Sequence, residues 1–198
     1  MRNQVGALQF LGSFPERPPE TGLPEVAFAG RSNVGKSSML NTLLRSHKAA
    51  RVSSRPGRTQ LINLFQLGQA AVFADLPGYG YAAVPDEVAA RWKPMIETYL
   101  ADRAALRLVV LLVDTRHEAQ ALDRMLLDGL RDFGLPVVVV ATKADKLSKH
   151  QRKPAAAALA ASLDLPEGQP LLFSSKDNFG LDALWEVIEA ACGKGKRR

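Results

Sequence analysis

A short apolar run, Val26-Ala27-Phe28-Ala29, leads into Gly30-Arg31-Ser32-Asn33-Val34-Gly35-Lys36-Ser37 and then into the helix-like Ser38-Met39-Leu40-Asn41-Thr42-Leu43-Leu44. Strand, glycine-bounded loop and helix in that order, with the spacing G-x-x-x-x-G-K-[ST], leave few folds open. The loop is suited to wrap a polyphosphate with backbone N–H groups, and Gly30 and Gly35 keep Cβ atoms out of the chain's close approach. The helix that follows points its positive N-terminal end at the anion. Lys36 can reach the β- and γ-phosphates, and the Ser37 hydroxyl is placed to hold Mg²⁺.

With 198 residues, 46% of them hydrophobic and 23% charged, the chain is long enough for one globular domain with a real core. The net charge of +6 suggests an anionic partner, although Lys194, Lys196, Arg197 and Arg198 concentrate part of it in a tail. Cys192 is the only cysteine, which excludes an internal disulfide and fits a reducing compartment. Gln9, Gly12, Ser13 and the prolines from Pro15 to Pro19 break any signal-peptide core, and no apolar run approaches the roughly 20 residues of a membrane span. The expectation is a cytoplasmic monomer with no membrane insertion.

Residues 1–23 read as an N-terminal arm with an edge strand at Val5–Leu11 and a proline-rich connector; 24–192 read as the domain and 193–198 as a basic tail. Ser46–Gln60 is polar and basic, an exposed loop. Leu61–Leu67 and Ala70–Leu76 form a hairpin around Gly68-Gln69. Asp86 is placed to cap a helix carrying Val88, Trp92, Ile96 and Tyr99, which Pro94 should kink. Leu108–Val113 and Val137–Ala141 are continuous β-branched runs, as in strands buried on both faces. Leu122, Met125, Leu126, Leu130 and Phe133 between them suggest a helix whose stripe is core. An alanine-rich helix at Ser148–Leu163, a short strand at Leu171–Phe173 and a helix lined by Leu181, Leu184, Val187, Ile188 and Ala191 complete the chain. The pattern predicts an α/β fold: a mostly parallel six-stranded sheet with one antiparallel strand, flanked by helices, with its ligand at the carboxyl ends of the strands.

Further motifs fall on loops at strand ends, in an order that suits one nucleotide. Asp75-Leu76-Pro77-Gly78 closes a strand; its carboxylate can support Mg²⁺ through water, and the Gly78 N–H can contact a γ-phosphate. Thr59 lies in the exposed loop, where its hydroxyl can complete the Mg²⁺ shell when the γ-phosphate is present. In Thr142-Lys143-Ala144-Asp145, the last carboxylate can accept from the N1–H and N2–H₂ of guanine, a pair that adenine lacks. The Lys143 stem can lie over the purine, and Ser174-Ser175-Lys176 can cover its other edge with backbone N–H groups.

The chain resembles a translation-factor-related small G domain of the P-loop NTPase class, and more narrowly the bacterial EngB family of ribosome-assembly GTPases. The resemblance rests on Gly30–Ser38 (GRSNVGKSS), Pro56–Phe65 (PGRTQLINLF), Asp75–Ala82 (DLPGYGYA), Asp114–His117 (DTRH), Thr142–Leu147 (TKADKL) and Phe173–Ser175. It implies GTP and GDP binding through these motifs, including Gly57, Arg58, Thr59, Gln60, Leu61, Leu76, Pro77, Ala144 and Phe173. It also implies Mg²⁺ at Ser37, Thr59 and Asp75, and hydrolysis served by Lys36, Thr59, Gly78 and Asn33. Through Asn33 it extends to K⁺ beside the phosphates. The partners it implies are the large (50S) ribosomal subunit or its precursor and rRNA, with a link to normal cell division and septation. Two departures stand out: Thr142 occupies a position that is Asn in general G domains, although Thr is usual in EngB-like proteins, and Arg55 stands where the family commonly has Thr.

A water-orienting glutamine is missing, because Tyr79 follows Gly78, and slow intrinsic turnover is therefore expected. Gly57–Leu61 and Asp75–Tyr81 would be ordered by the γ-phosphate and released on hydrolysis. Besides a ribosome-assembly switch, two readings remain open at this point: a P-loop kinase or ATPase, and a GTP-regulated protein-interaction switch at the division site without ribosome binding.

Overall fold

The computed structural model describes residues 1–46, 61–79, 94, 97–100 and 103–193. A short 3₁₀ helix, Arg2–Ala7, precedes β1 (Leu8–Phe14), β2 (Glu25–Gly30), α1 (Lys36–Leu43), β3 (Ile62–Leu67) and β4 (Ala71–Asp75). Then come β5 (Leu106–Asp114), α2 (Ala121–Asp132), β6 (Val137–Thr142), α3 (Lys149–Leu163), β7 (Leu171–Leu172) and α4 (Leu181–Gly193). Among the described residues the strands form one seven-stranded sheet in the order β1-β3-β4-β2-β5-β6-β7. β2 runs parallel to β4 and β5, and β6 to β5 and β7, while β3 is antiparallel to both of its neighbours. Six strands are those expected after residue 24, and the seventh is the arm's edge strand. The 114–193 loops and helices follow the predicted order, whereas the loop through Gln60 and most of the helix after Asp86 lie outside the described residues.

Alternation across the sheet makes two cores. Val26, Phe28, Phe73 and Val110 face α1 and α4, meeting Met39, Leu40, Trp185 and Ile188. Ala27, Ala29, Val109 and Leu111 face α2 and α3, meeting Leu127, Leu130, Leu159 and Leu163. Because the central strands are parallel and buried on both sides, their carboxyl ends emerge at one edge: Gly30 pairs with Leu112, and Asp114 with Thr142.

Two expectations need correction. The edge strand is Leu8–Phe14, not Val5–Leu11, because the first residues are drawn into the 3₁₀ helix: Arg2 donates to Asp182 Oδ1 at 2.7 Å and stacks over Trp185 of α4. The α2 stripe is core only in part: Leu130 is buried and Leu126 packs against the core as expected, but the other three positions face outward. Leu122, Met125 and Phe133 are 44%, 65% and 45% exposed, and the inward face is Asp123, Leu127 and Leu130. A buried carboxylate shifts the phase of the helix, since a hydrophobic pattern counts Asp123 as outward.

At the opposite edge of the sheet, the fully buried Glu25 accepts from Arg103 Nε at 2.7 Å and Nη2 at 2.9 Å, and from the Tyr99 hydroxyl. The same guanidinium reaches the carbonyls of Pro18 and Pro19, which straps the proline-rich connector to the sheet. Arg103→Met would leave the Glu25 charge buried without its cation. Denaturant unfolding should then show a loss of about 3–5 kcal/mol. A loss below about 1 kcal/mol, the range of an exposed pair, would show that this cluster does not hold the connector.

Candidate functional site

The loop from Gly30 to Gly35 leaves β2 at the centre of the sheet and enters α1 at Lys36, with Ser37 and Ser38 in the first turn. Gly35 is the N-cap at φ 110°, a conformation that side-chain-bearing residues rarely adopt. Val34 is buried beneath the loop, while Asn33 is exposed at φ 65°. The open side of such a loop, with the unsatisfied amides of a helix N-terminus beside it, can take phosphate oxygens.

Two consecutive carbonyls of this loop are gripped by the turn after β6. Lys143 Nζ donates to the Asn33 carbonyl at 2.7 Å and to Asp114 Oδ2 at 2.8 Å. Thr142 Oγ1 lies 2.6 Å from the Val34 carbonyl and 3.0 Å from that of Val113. Thr142 therefore has a definite role where an asparagine is usual: its hydroxyl joins the phosphate loop to the end of β5. Lys143 adopts φ 60°, and a 3₁₀ turn, Ala144–Lys146, follows it. The buried Phe173 accepts from Ala144 N at 3.1 Å, and the buried Ser174 donates its hydroxyl to Asp145 Oδ1 at 3.2 Å. Ser175 is half-buried beside them. Asp145 is thus held at the rim of the site with its side chain partly open, able to accept from a planar donor pair.

On the other side, Asp75 ends β4 and pairs with Lys36 Nζ, both side chains nearly buried. Leu76 N donates to the Phe28 carbonyl at 3.0 Å, and Leu76 and Pro77 are buried. Gly78 packs directly on the phosphate loop: a Cβ there would lie 3.1 Å from Ser32 Oγ and 3.2 Å from Ser32 Cα and N. Tyr79 forms a parallel bridge with Arg31, and its carbonyl accepts from Ser32 N at 2.9 Å. Its ring is buried, and its hydroxyl donates to Asp123 Oδ1 at 2.8 Å. Burial and the neighbouring Asp123 carboxylate push the phenol far above its ordinary pKa, so it remains a donor.

The structure thus brings together Gly30 to Ser38, Asp75 to Gly78, Thr142 to Asp145 and Phe173 to Ser175. Leu61 is half-buried immediately before β3. Gly57, Arg58, Thr59 and Gln60 lie outside the described residues, as do Arg55, Gly80, Tyr81 and the basic tail. Among the described residues no three His, Cys, Asp or Glu side chains cluster to hold a metal. A hydroxyl at Ser37 and one carboxylate at Asp75 nevertheless suit Mg²⁺, a cation that completes its octahedron with water and phosphate oxygens. Asp114 and Asp123 went unassigned in the sequence. The signals for Asp114 are its place in the Asp114–His117 motif that carries the resemblance, and a carboxylate ending a buried apolar run at the edge where the loops collect.

A sheet of this order, with a phosphate loop clasped by a Thr-Lys-x-Asp turn, defines a P-loop GTPase G domain. Known proteins narrow the class. The model of the family described as 50S ribosome-binding GTPase matches residues 25–143. A probable GTP-binding protein EngB of Geobacter sulfurreducens is 47% identical over 184 residues, 93% of this chain and 89% of the relative. One from Desulfotalea psychrophila is 50% identical over 172 residues, 87% of this chain and 89% of the relative. The crystal structure of a probable GTP-binding protein EngB has a TM-score of 0.72 at 27% identity, covering 86% of this chain and 99% of that one. The chain belongs to the EngB family of GTP-binding proteins.

Asp114 also carries a pH signature. Burial pushes its carboxyl up, but hydrogen bonds from Arg116 and Lys143 outweigh this and hold it well below the usual carboxylate range. The stability these bonds contribute is complete above the ordinary carboxylate pKa of about 4 and is lost as pH falls through the lower folded value. Thermal melts from about pH 7 to about pH 2 should therefore show Asp114→Asn less stable than wild type near neutrality, with the gap closing in acid. A gap independent of pH would mean that the charge is not its source.

Proposed function

We propose that this chain is a slow, Mg²⁺-dependent GTPase acting in the cytoplasm as a switch in assembly of the large ribosomal subunit, with normal cell division depending on it. The observation that carries the reading is the reach of Lys143, which joins the Asp145 turn to the phosphate loop through one side chain. A single guanine nucleotide is then gripped at both ends. Asp145 would read guanine N1–H and N2–H₂, with the 173–175 backbone along the base. Lys36, on exchanging Asp75 for phosphate, would neutralise the β- and γ-oxygens, and Gly78 N–H would meet the γ-phosphate. Ser37 and Thr59 would hold Mg²⁺, with Asp75 acting through water; the metal would neutralise charge developing on the phosphates. Asn33, exposed on the loop, is the residue for K⁺.

Slow turnover follows from Tyr79. Its hydroxyl is committed to Asp123 inside the protein, and no side chain at that position is free to orient water. The ribosomal partner is supported by the family's description and by the basic segments Arg45–Arg58 and Lys194–Arg198, which suit RNA phosphates. The exposed Leu122, Met125 and Phe133 favour a protein contact instead and keep open a division-site switch without ribosome binding.

Titration with fluorescent GDP and ATP should show binding of the first alone, and Asp145→Asn should weaken GDP by at least roughly a hundredfold. Unchanged base preference in that variant would overturn the guanine reading. Steady-state turnover of several per second without a partner would overturn the slow-switch reading. Co-sedimentation with 50S particles should occur with a GTP analogue more than with GDP and weaken steeply with salt. Absence of binding in both states would leave the division-site reading.

A further inference from the structure

Tyr79 is anchored twice. Its backbone joins the phosphate loop, through Ser32 N to the Tyr79 carbonyl at 2.9 Å and Tyr79 N to the Gly30 carbonyl at 3.4 Å. Its hydroxyl goes elsewhere, to Asp123 in the first turn of α2. Asp123 is 4% exposed, and its other oxygen accepts from Gln120 N at 2.9 Å, within a capping box that closes the helix N-terminus. Leu127 and Leu130 on the same face of α2 are locked into the core, so the carboxylate stands on a rigid post. Packing does not finish the job on every side. Asp123 borders a cavity of ≈ 200 Å³ that Arg31, His117 and Gln120 also line. The hydrogen bond joins two buried groups, so losing it would leave a buried carboxylate oxygen without that donor.

We propose that Asp123 is a positioning residue for triphosphate recognition: through Tyr79 it holds the Asp75–Gly78 turn against the phosphate loop, so that Gly78 N–H is presented before the γ-phosphate arrives. The inference rests on the reading of Gly78 as a γ-phosphate contact. It distinguishes the two nucleotides, because GDP needs the loop and Asp145 but not the turn. Without the anchor, the turn must be ordered by the γ-phosphate itself, and that ordering subtracts from affinity for the triphosphate alone. The Tyr79→Phe variant should fold, since Asp123 keeps the Gln120 amide and has Arg31 in the same cavity, whose Nε is buried without a hydrogen-bond partner among the described residues.

The test measures affinities for GDP and for a non-hydrolysable GTP analogue in wild type, Tyr79→Phe, Asp123→Ala, the double variant and Gln120→Ala. Tyr79→Phe and Asp123→Ala should each leave GDP affinity within about twofold and weaken the analogue by roughly tenfold, the effect of losing one hydrogen bond to a charged acceptor. The double variant should weaken it no further, because both changes remove one interaction. Gln120→Ala, which removes the Gln120 side chain but keeps both its backbone N–H and the Tyr79 bond on Asp123, should leave the ratio of the two affinities unchanged. A folded Tyr79→Phe with the wild-type ratio overturns the inference while leaving the GTPase reading intact. A wild-type protein that binds no guanine nucleotide overturns both.

Discussion

Lys143 donates at once to the Asn33 carbonyl and the Asp114 carboxylate, and the relative placement of the two nucleotide-facing loops depends on that ammonium. Parallel register brings β2, β5 and β6 to a common edge, but register alone would leave their loops free to diverge. Lys143 and Thr142 remove that freedom by holding two neighbouring carbonyls of the phosphate loop. The left-handed backbone at Lys143 is the local cost, and it persists because the surrounding bonds determine it. Asp114 in turn keeps the ammonium's charge paired where both side chains are largely shielded from water.

The second ammonium of the site behaves differently. Lys36 pairs with Asp75 across the mouth of the phosphate loop, and on the proposed reading that bond would be exchanged when phosphate enters. Removing two shielded charges from each other is costly unless the incoming ligand supplies opposite charge to both. A polyphosphate with a divalent cation does so: anionic oxygens for the lysine, a cation for the carboxylate. On the proposed reading the pair would favour the two ligands arriving together over either alone. Lys143 faces no such exchange, since its acceptors are the loop's own carbonyl and Asp114. One lysine builds the site, and the other is held ready for its ligand.

The sequence was most legible where local chemistry leaves one choice. G-x-x-x-x-G-K-S between an apolar run and a helix identifies its own conformation, and the β-branched runs at 108–113 and 137–141 are strands because two buried faces demand them. The Gly68 hairpin was legible for the same reason. What escaped depended on distant partners. The start of β1 answers to Arg2 and Asp182, 180 positions apart, and to a bulge between Phe10 and Gly12. The face of α2 is set by Asp123 meeting Tyr79, 44 positions away, and a hydrophobic pattern cannot anticipate a buried acid. The role of Asp114 was hidden likewise, because its lysine lies 29 residues on and meets it only through strand register.

That misread phase has a mechanical consequence. With Asp123, Leu127 and Leu130 turned inward, Leu122, Met125 and Phe133 are left facing solvent, Met125 roughly 200° around the helix from Asp123. The inner face is tied through one hydroxyl to the turn that follows Asp75; the outer face presents apolar side chains. Because Leu127 and Leu130 hold α2 in the core, the acid is fixed on the side facing the turn while the apolar side chains stand on the other. The buried acid therefore does more than cap a helix: it makes α2 the stiff element between the phosphate loop and an exposed apolar face.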